Sequence, residues 1–176
     1  MDPLTYFQSL ARYHAWATAR LLREHVAAVS DADYRRPQGL FFGSLHGTLN
    51  HLLVAERLWQ ARFIEGESPR IALDAQLHAD RAELVDALIE ASTCWGAWLA
   101  ADESVLGADT LRYTRGNGQA VAVPFAPALG HVFNHATHHR GQVSAALTAL
   151  GRPGPELDWI LLLQQDAAAH HDKTNP

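Results

Sequence analysis

Hydrophobic positions recur at helical spacing through most of the chain and alternate in one short stretch. From Pro3 to about Val29, Leu4, Phe7, Ala11, Leu21 and Leu22 share one stripe, and Pro3 suits a first turn, where no N–H is needed. Ser30, Asp31, Asp33 and Pro37 break the stripe, and Gly39 to Gly43 read as a loop whose Phe41 and Phe42 cap one end of a helical bundle. A second helix starts after Ser44, an N-cap residue, and runs to about Ile64 with Leu45, Leu49, Leu52, Trp59 and Phe63 in register. Gly66, Ser68 and Pro69 end it. A third helix begins near Asp74 or Leu77 and reaches Ala101, carrying Leu84, Leu88, Cys94, Trp95 and Trp98. The segment TLRYTRGNGQAVAV (110–123) alternates around Gly116, Asn117 and Gly118, the pattern of a small hairpin. Pro124 or Pro127 opens a fourth helix that ends at Leu150 before Gly151, Pro153, Gly154 and Pro155. Leu157 to about Ala169 reads as a short fifth helix, and HHDKTNP as a frayed tail.

Four long amphipathic helices bury their stripes most simply against one another. The predicted fold is therefore all-α: a four-helix bundle with a small β-hairpin insertion before helix 4 and a short C-terminal helix. A length of 176 residues suits a single domain over 1–176, and no internal repeat or linker divides it. With 48% hydrophobic and 19% charged residues, the composition is that of a globular chain. A formal charge of -5 with only 14 Lys and Arg argues against a nucleic-acid partner. Cys94 is the one cysteine and has no intrachain partner, the start MDPLTYFQSL is polar, and no apolar run approaches the roughly 20 residues of a membrane span. A cytoplasmic protein with no membrane contact is the expectation.

Against this background 11 histidines stand out. The densest group, HVFNHATHHRGQV (131–143), falls in the fourth helix. His131 with His135, and His135 with His139, are four residues apart, so their side chains lie one above the other and close enough to share an ion. Helix phase separates the pairs. Phe125, Leu129, Val132, Ala136, Val143, Leu147 and Leu150 centre the core stripe, His139 is nearest its middle, His135 next, and His131 and His138 lie further out. Two imidazoles leave a coordination sphere incomplete, so a third ligand is expected from a facing helix. On the second helix His51 sits at the edge of the apolar arc, while His46, Asn50, Arg57 and Gln60 share its wet side. His51, His135 and His139 are thus the predicted metal ligands. His25, His78, His170 and His171 read as ordinary surface or hydrogen-bonded residues. His14, inside the apolar stripe of its helix, is a candidate pocket residue.

The segment GSLHGTLNHLLVAERLW (43–59), followed by HVFNHATHHRGQV, resembles the DinB family of metal-binding bundles, also described as DinB/YfiT-like. The similarity extends to YHAWATARLL (13–22) and to LDWILLL (157–163), nearly the whole chain. The resemblance implies a four-helix bundle with a three-histidine site, one histidine from the second helix and two from the N-H-x-x-x-H-R-G-Q stretch. These positions are His51, His135 and His139. Thr18 stands where the family often has Asn. The resemblance also implies a homodimer, which Trp16, off its helix's core stripe, supports.

Three neutral histidines bind a divalent ion, Zn, Ni, Fe or Co, without cancelling its charge, and leave positions open for a small-molecule substrate. Asn134, Thr137 and Gln142 are near enough along the helix to orient the imidazoles. No Glu follows the paired histidines as in H-E-x-x-H, which argues against a metalloprotease. Chemistry that needs only a nucleophile activated by the ion suits the site better, and a low-molecular-weight thiol is such a nucleophile. By analogy with DinB-like proteins that join a thiol to an electrophile, a thiol S-transferase acting in stress or detoxification is the first reading. A metal-dependent hydrolase and a non-catalytic metal-binding stress protein remain the alternatives.

Overall fold

The computed structural model describes residues 1–102 and 104–174, with side chains as far as Ala169. Helix α1 (Pro3–Arg20) starts where the Asp2 carboxylate accepts the Thr5 N–H at 3.0 Å and Pro3 fills the first turn. A wider turn (Leu21–His25) and a tighter one (Val26–Ala28) carry it on to Ala28, close to the predicted end. The segment expected to be loop contains a short helix α2 (Asp31–Arg35), capped by Ser30 through the Asp33 N–H. Ser44 caps α3 (Leu45–Gln60) as anticipated, and a wide last turn (Ala61–Glu65) closes on Gly66 at φ 70°, a backbone that favours glycine.

Helix α4 (Arg81–Ala101) begins later than the predicted Asp74 or Leu77, because Asp80 supplies the cap to the Glu83 N–H at 3.0 Å. Residues 66–80 are instead an extended connection, fastened to α3 by Asn50. Its side chain accepts the His78 N–H at 3.1 Å and donates to the His78 carbonyl at 3.2 Å.

Strands β1 (Thr110–Thr114) and β2 (Ala120–Pro124) form the predicted antiparallel hairpin, with Thr110 opposite Pro124 and Thr114 opposite Ala120. Helix α5 (Phe125–Ala149) follows directly. Helix α6 (Trp159–Thr174) runs past the expected end at Ala169, so the segment read as a frayed tail is helical through Thr174; Asn175 and Pro176 lie outside the described residues.

Helices α1 and α3 each pack on α4 and α5, which closes the four-helix bundle. One part of its core gathers Leu21, Leu22, Leu49, Leu53, Leu84 and Leu147, and another Phe7, Trp95, Leu99, Leu129 and Phe133. The hairpin packs Leu111 with Phe125 against Trp59 and Phe63. No described helix is long and apolar enough to cross a membrane.

Two solvent assignments change. His46 and Asn50 are buried, 3% and 1% exposed, because α2 and the 66–80 connection cover the polar side of α3. His46 Nδ1 meets the Tyr34 hydroxyl at 3.2 Å and Nε2 meets Asn50 at 3.2 Å. Cys94, expected in the core, is half-buried, and its thiol donates to the Glu90 carbonyl at 3.5 Å. Burial and the nearby Glu90 and Glu56 carboxylates push that thiol up from its usual pKa. Trp16 is partly covered within its own chain by Tyr13 and by the Arg20 guanidinium, 5.3 Å above its ring.

Candidate metal centre

The bundle brings His51 of α3 together with His135 and His139 of α5. Their donor nitrogens all lie within 4.8 Å of one another. Nε2 of His135 is 3.3 Å from Nε2 of His51 and 3.1 Å from Nε2 of His139. Burial follows the predicted phase: His51 and His139 are buried, His135 is half-buried, and His131 and His138 are exposed.

Two of the three rings have their tautomers set by neighbours. His51 Nδ1 lies 2.8 Å from the Leu73 carbonyl, which can only accept, so the proton sits on Nδ1 and Nε2 carries a lone pair. His139 Nδ1 donates in the same way to Gln142 Oε1 at 2.8 Å, and the Gln142 amide donates on to His138 Nε2 at 3.1 Å. Burial, with the neighbouring imidazoles adding to it, pushes His135 down to about 3; burial pushes His139 down to about 4 against the Gln142 hydrogen bond. Burial also lowers His51, which the Leu73 carbonyl partly offsets. The centre is therefore neutral at physiological pH, and the Nε2 lone pairs of His51 and His139 both face His135 Nε2 across little more than 3 Å. A proton on His135 Nε2 satisfies only one of those lone pairs, whereas a divalent ion between the rings would satisfy both. Two Zn–N bonds at a tetrahedral angle place nitrogens about 3.3 Å apart, so the donor set fits a divalent ion.

Of the candidate supporting residues only Gln142 touches one of the three imidazoles, that of His139. Asn134 is exposed and lines a cleft between α1, α5 and α6 with Tyr6, Tyr13 and Trp159. Thr137 is exposed, donates to the Phe133 carbonyl at 3.0 Å and accepts from Arg140 at 2.9 Å. Both point round the helix from the histidine face. Phe42, predicted to cap the bundle, lies on His51, whereas Phe41 is 86% exposed.

His14 lines no open pocket. It is 2% exposed in a buried polar cluster: Nδ1 accepts from Arg140 at 2.9 Å and Nε2 is 2.9 Å from Glu56, off the line of a good hydrogen bond. The Trp95 indole donates to the other Glu56 oxygen at 2.5 Å. Burial lowers the Arg140 pKa from the usual guanidinium value. Neither Glu56 nor Arg140 was singled out by periodicity. The available signal was a carboxylate on the apolar arc of α3, five residues beyond His51.

The sequence pattern of the DinB family matches residues 2–171, and this chain belongs to that family. A solved structure of YfiT from Bacillus subtilis, described as a probable metal-dependent hydrolase with an unusual four-helix bundle topology, shares the fold. It superposes with a TM-score of 0.63 at 15% identity over 82% of this chain and 87% of that one. The comparison with curated proteins found no match.

Proposed function

We propose that His51, His135 and His139 hold one divalent ion, Zn, Ni or Fe, and that the chain is a metal-dependent enzyme acting on a small molecule, with thiol S-transfer to an electrophile as the first reading. The observation that carries metal binding is the convergence of three neutral imidazoles, two with Nδ1–H groups already committed to Leu73 and Gln142. A divalent ion in such a set keeps its full charge and acts as a Lewis acid that makes a thiol or a water easier to ionise.

The protein's own residues hold and shield. Leu73 and Gln142 fix the ring planes, Phe42 excludes water from one face of His51, and half-exposed His135 leaves the centre open toward solvent. Among the described residues no Asp or Glu oxygen is within 4 Å of these imidazoles; the two His–carboxylate pairs are His14–Glu56 and His78–Glu83. A thiol needs less help to ionise than water does, which favours the transferase. Cys94, half-buried with its pKa raised, is poorly suited to serve as the nucleophile, so the sulfur would come from a low-molecular-weight thiol.

A metal-dependent hydrolase is the second reading. It is supported by the description of YfiT and by His131 and His138, whose rings stand 5.7 Å from His135 and 4.9 Å from His139 and offer proton carriers. A homodimer is inferred from the family resemblance and from Tyr6, Ile160 and Leu163, apolar side chains 41–57% exposed on α1 and α6. Sedimentation giving only a 19.3 kDa species would remove it.

Elemental analysis of untagged protein is expected to give about one divalent ion per chain, lost in His51→Ala and His135→Ala. In the Co(II) protein, a small thiol should produce sulfur charge-transfer absorption, and thiol should be consumed with reactive electrophiles. No band and no consumption, with hydrolysis of small esters or amides instead, selects the hydrolase. Full metal occupancy in His135→Ala would refute the ligand set.

A further inference from the structure

Arg62, on the last turn of α3, is held on three sides. Its guanidinium carbon lies 4.6 Å from the centre of the Trp59 ring and 4.2 Å from that of Tyr113 on β1, so both rings grip it by cation–π contact. Its Nε donates to Ser68 Oγ at 3.3 Å. The two terminal amino groups have no hydrogen-bond partner among the described residues, and no Asp or Glu oxygen lies within 4 Å of them. Glu65, on the same turn, and Glu67, just beyond Gly66, are exposed and make no ion pair with it among the described residues. Burial lowers the Arg62 pKa from the usual guanidinium value, and the neighbouring cation of Arg115 adds to that.

The pocket beside it, about 330 Å³, is walled by Arg62, Arg70, Ile71, Leu73 and the Gly116 turn of the hairpin. Leu73 is also the residue whose carbonyl accepts the His51 Nδ1 proton. On the other side, Trp59 meets His131 at 5.3 Å between ring centres, and His131 meets His135 at 5.7 Å. Leu73 thus stands between a molecule seated at Arg62 and the His51 imidazole.

We infer that Arg62 is an oxyanion-binding subsite that takes a carboxylate or phosphate group of a small-molecule substrate at the edge of the three-histidine centre. A stacked guanidinium with Nε occupied presents its two terminal N–H groups as a fixed fork, which matches two oxygens of a carboxylate or phosphate. Arg70 adds positive potential from the same pocket. This binding function is independent of metal occupancy, although the role of the subsite in turnover rests on the enzymatic reading above.

The test is an NMR titration of the full chain with inorganic phosphate and, separately, with succinate, following the Arg62 Nε–H and the Trp59 indole N–H. Saturable shifts at both signals are expected, and the tighter of the two probes identifies the preferred anion. Arg62→Gln should weaken binding at least tenfold with metal content unchanged. His135→Ala should lose the metal and keep the anion response, so failure of the metal centre and failure of the subsite read out separately. Arg62→Lys, which keeps the charge and removes the fork, should weaken binding several-fold and serves in place of Arg62→Gln if that variant does not fold. Shifts that do not saturate in the parent protein, or equal affinity in the Arg62 variants, would overturn the inference.

Discussion

The ring of Phe42 lies flat on the imidazole of His51, with centroids 3.8 Å apart and planes 15° from parallel. His51 faces His135 and His139 at 5.2 and 4.6 Å between ring centres, and Phe42 also reaches His139, 5.8 Å away. The stack and the Leu73 hydrogen bond together leave His51 one orientation, with Nε2 toward its partners. Phe42→Ala should free the ring and expose it. Aromatic stacking contributes about 1 kcal/mol, and groups that orient metal ligands are worth tenfold or more in affinity, so roughly tenfold weaker metal binding is expected. A chelator-competition titration measures it.

Gln142 and His138 provide a matched pair. Gln142→Leu removes the acceptor that holds the His139 Nδ1 proton and should lower metal affinity about 10- to 100-fold. His138→Ala, which removes an exposed ring bonded only through Gln142, should leave occupancy unchanged in elemental analysis.

The metal-free protein should lose stability as pH falls. His135 at about 3, His139 at about 4 and the lowered His51 stay neutral in the folded state, whereas in the unfolded chain each binds a proton near 6.5. Below that value the unfolded state takes up protons that the folded state refuses, so this loss begins near pH 6.5 and continues down to about 3 to 4. Melting temperature is expected to hold above pH 7 and to drop by several degrees by pH 5. A flat profile from 7 to 5 would contradict the burial of these rings.

Glu56 balances the Arg140 charge in the core. Glu56→Gln keeps the shape and removes the negative charge that acts on the buried guanidinium from beyond His14. The two charges make no direct ion pair and act on each other across His14, so a loss smaller than the roughly 3–5 kcal/mol of a broken buried ion pair is expected. Urea denaturation should register that loss, and adding Arg140→Met should recover part of it. A Glu56→Gln variant as stable as the parent would show that His14, Thr18 and Thr137 suffice.

Periodicity alone located the long helices and the hairpin, and helix phase ordered His139, His135, His131 and His138 by depth, because both depend on residues a few positions apart on one helix. The triad was legible because His135 and His139 are local neighbours and His51 lies at the edge of an apolar arc. Periodicity says which face of a helix is apolar; it does not say what covers a polar one. Only the folded chain decided that α2 and the 66–80 connection bury His46 and Asn50, that Phe42 and the Leu73 carbonyl meet His51, and that His14, Glu56 and Arg140 form one cluster. Those contacts join residues from 9 to 126 positions apart. They arise from how helices and connections pack in space, which no local repeat along the chain records.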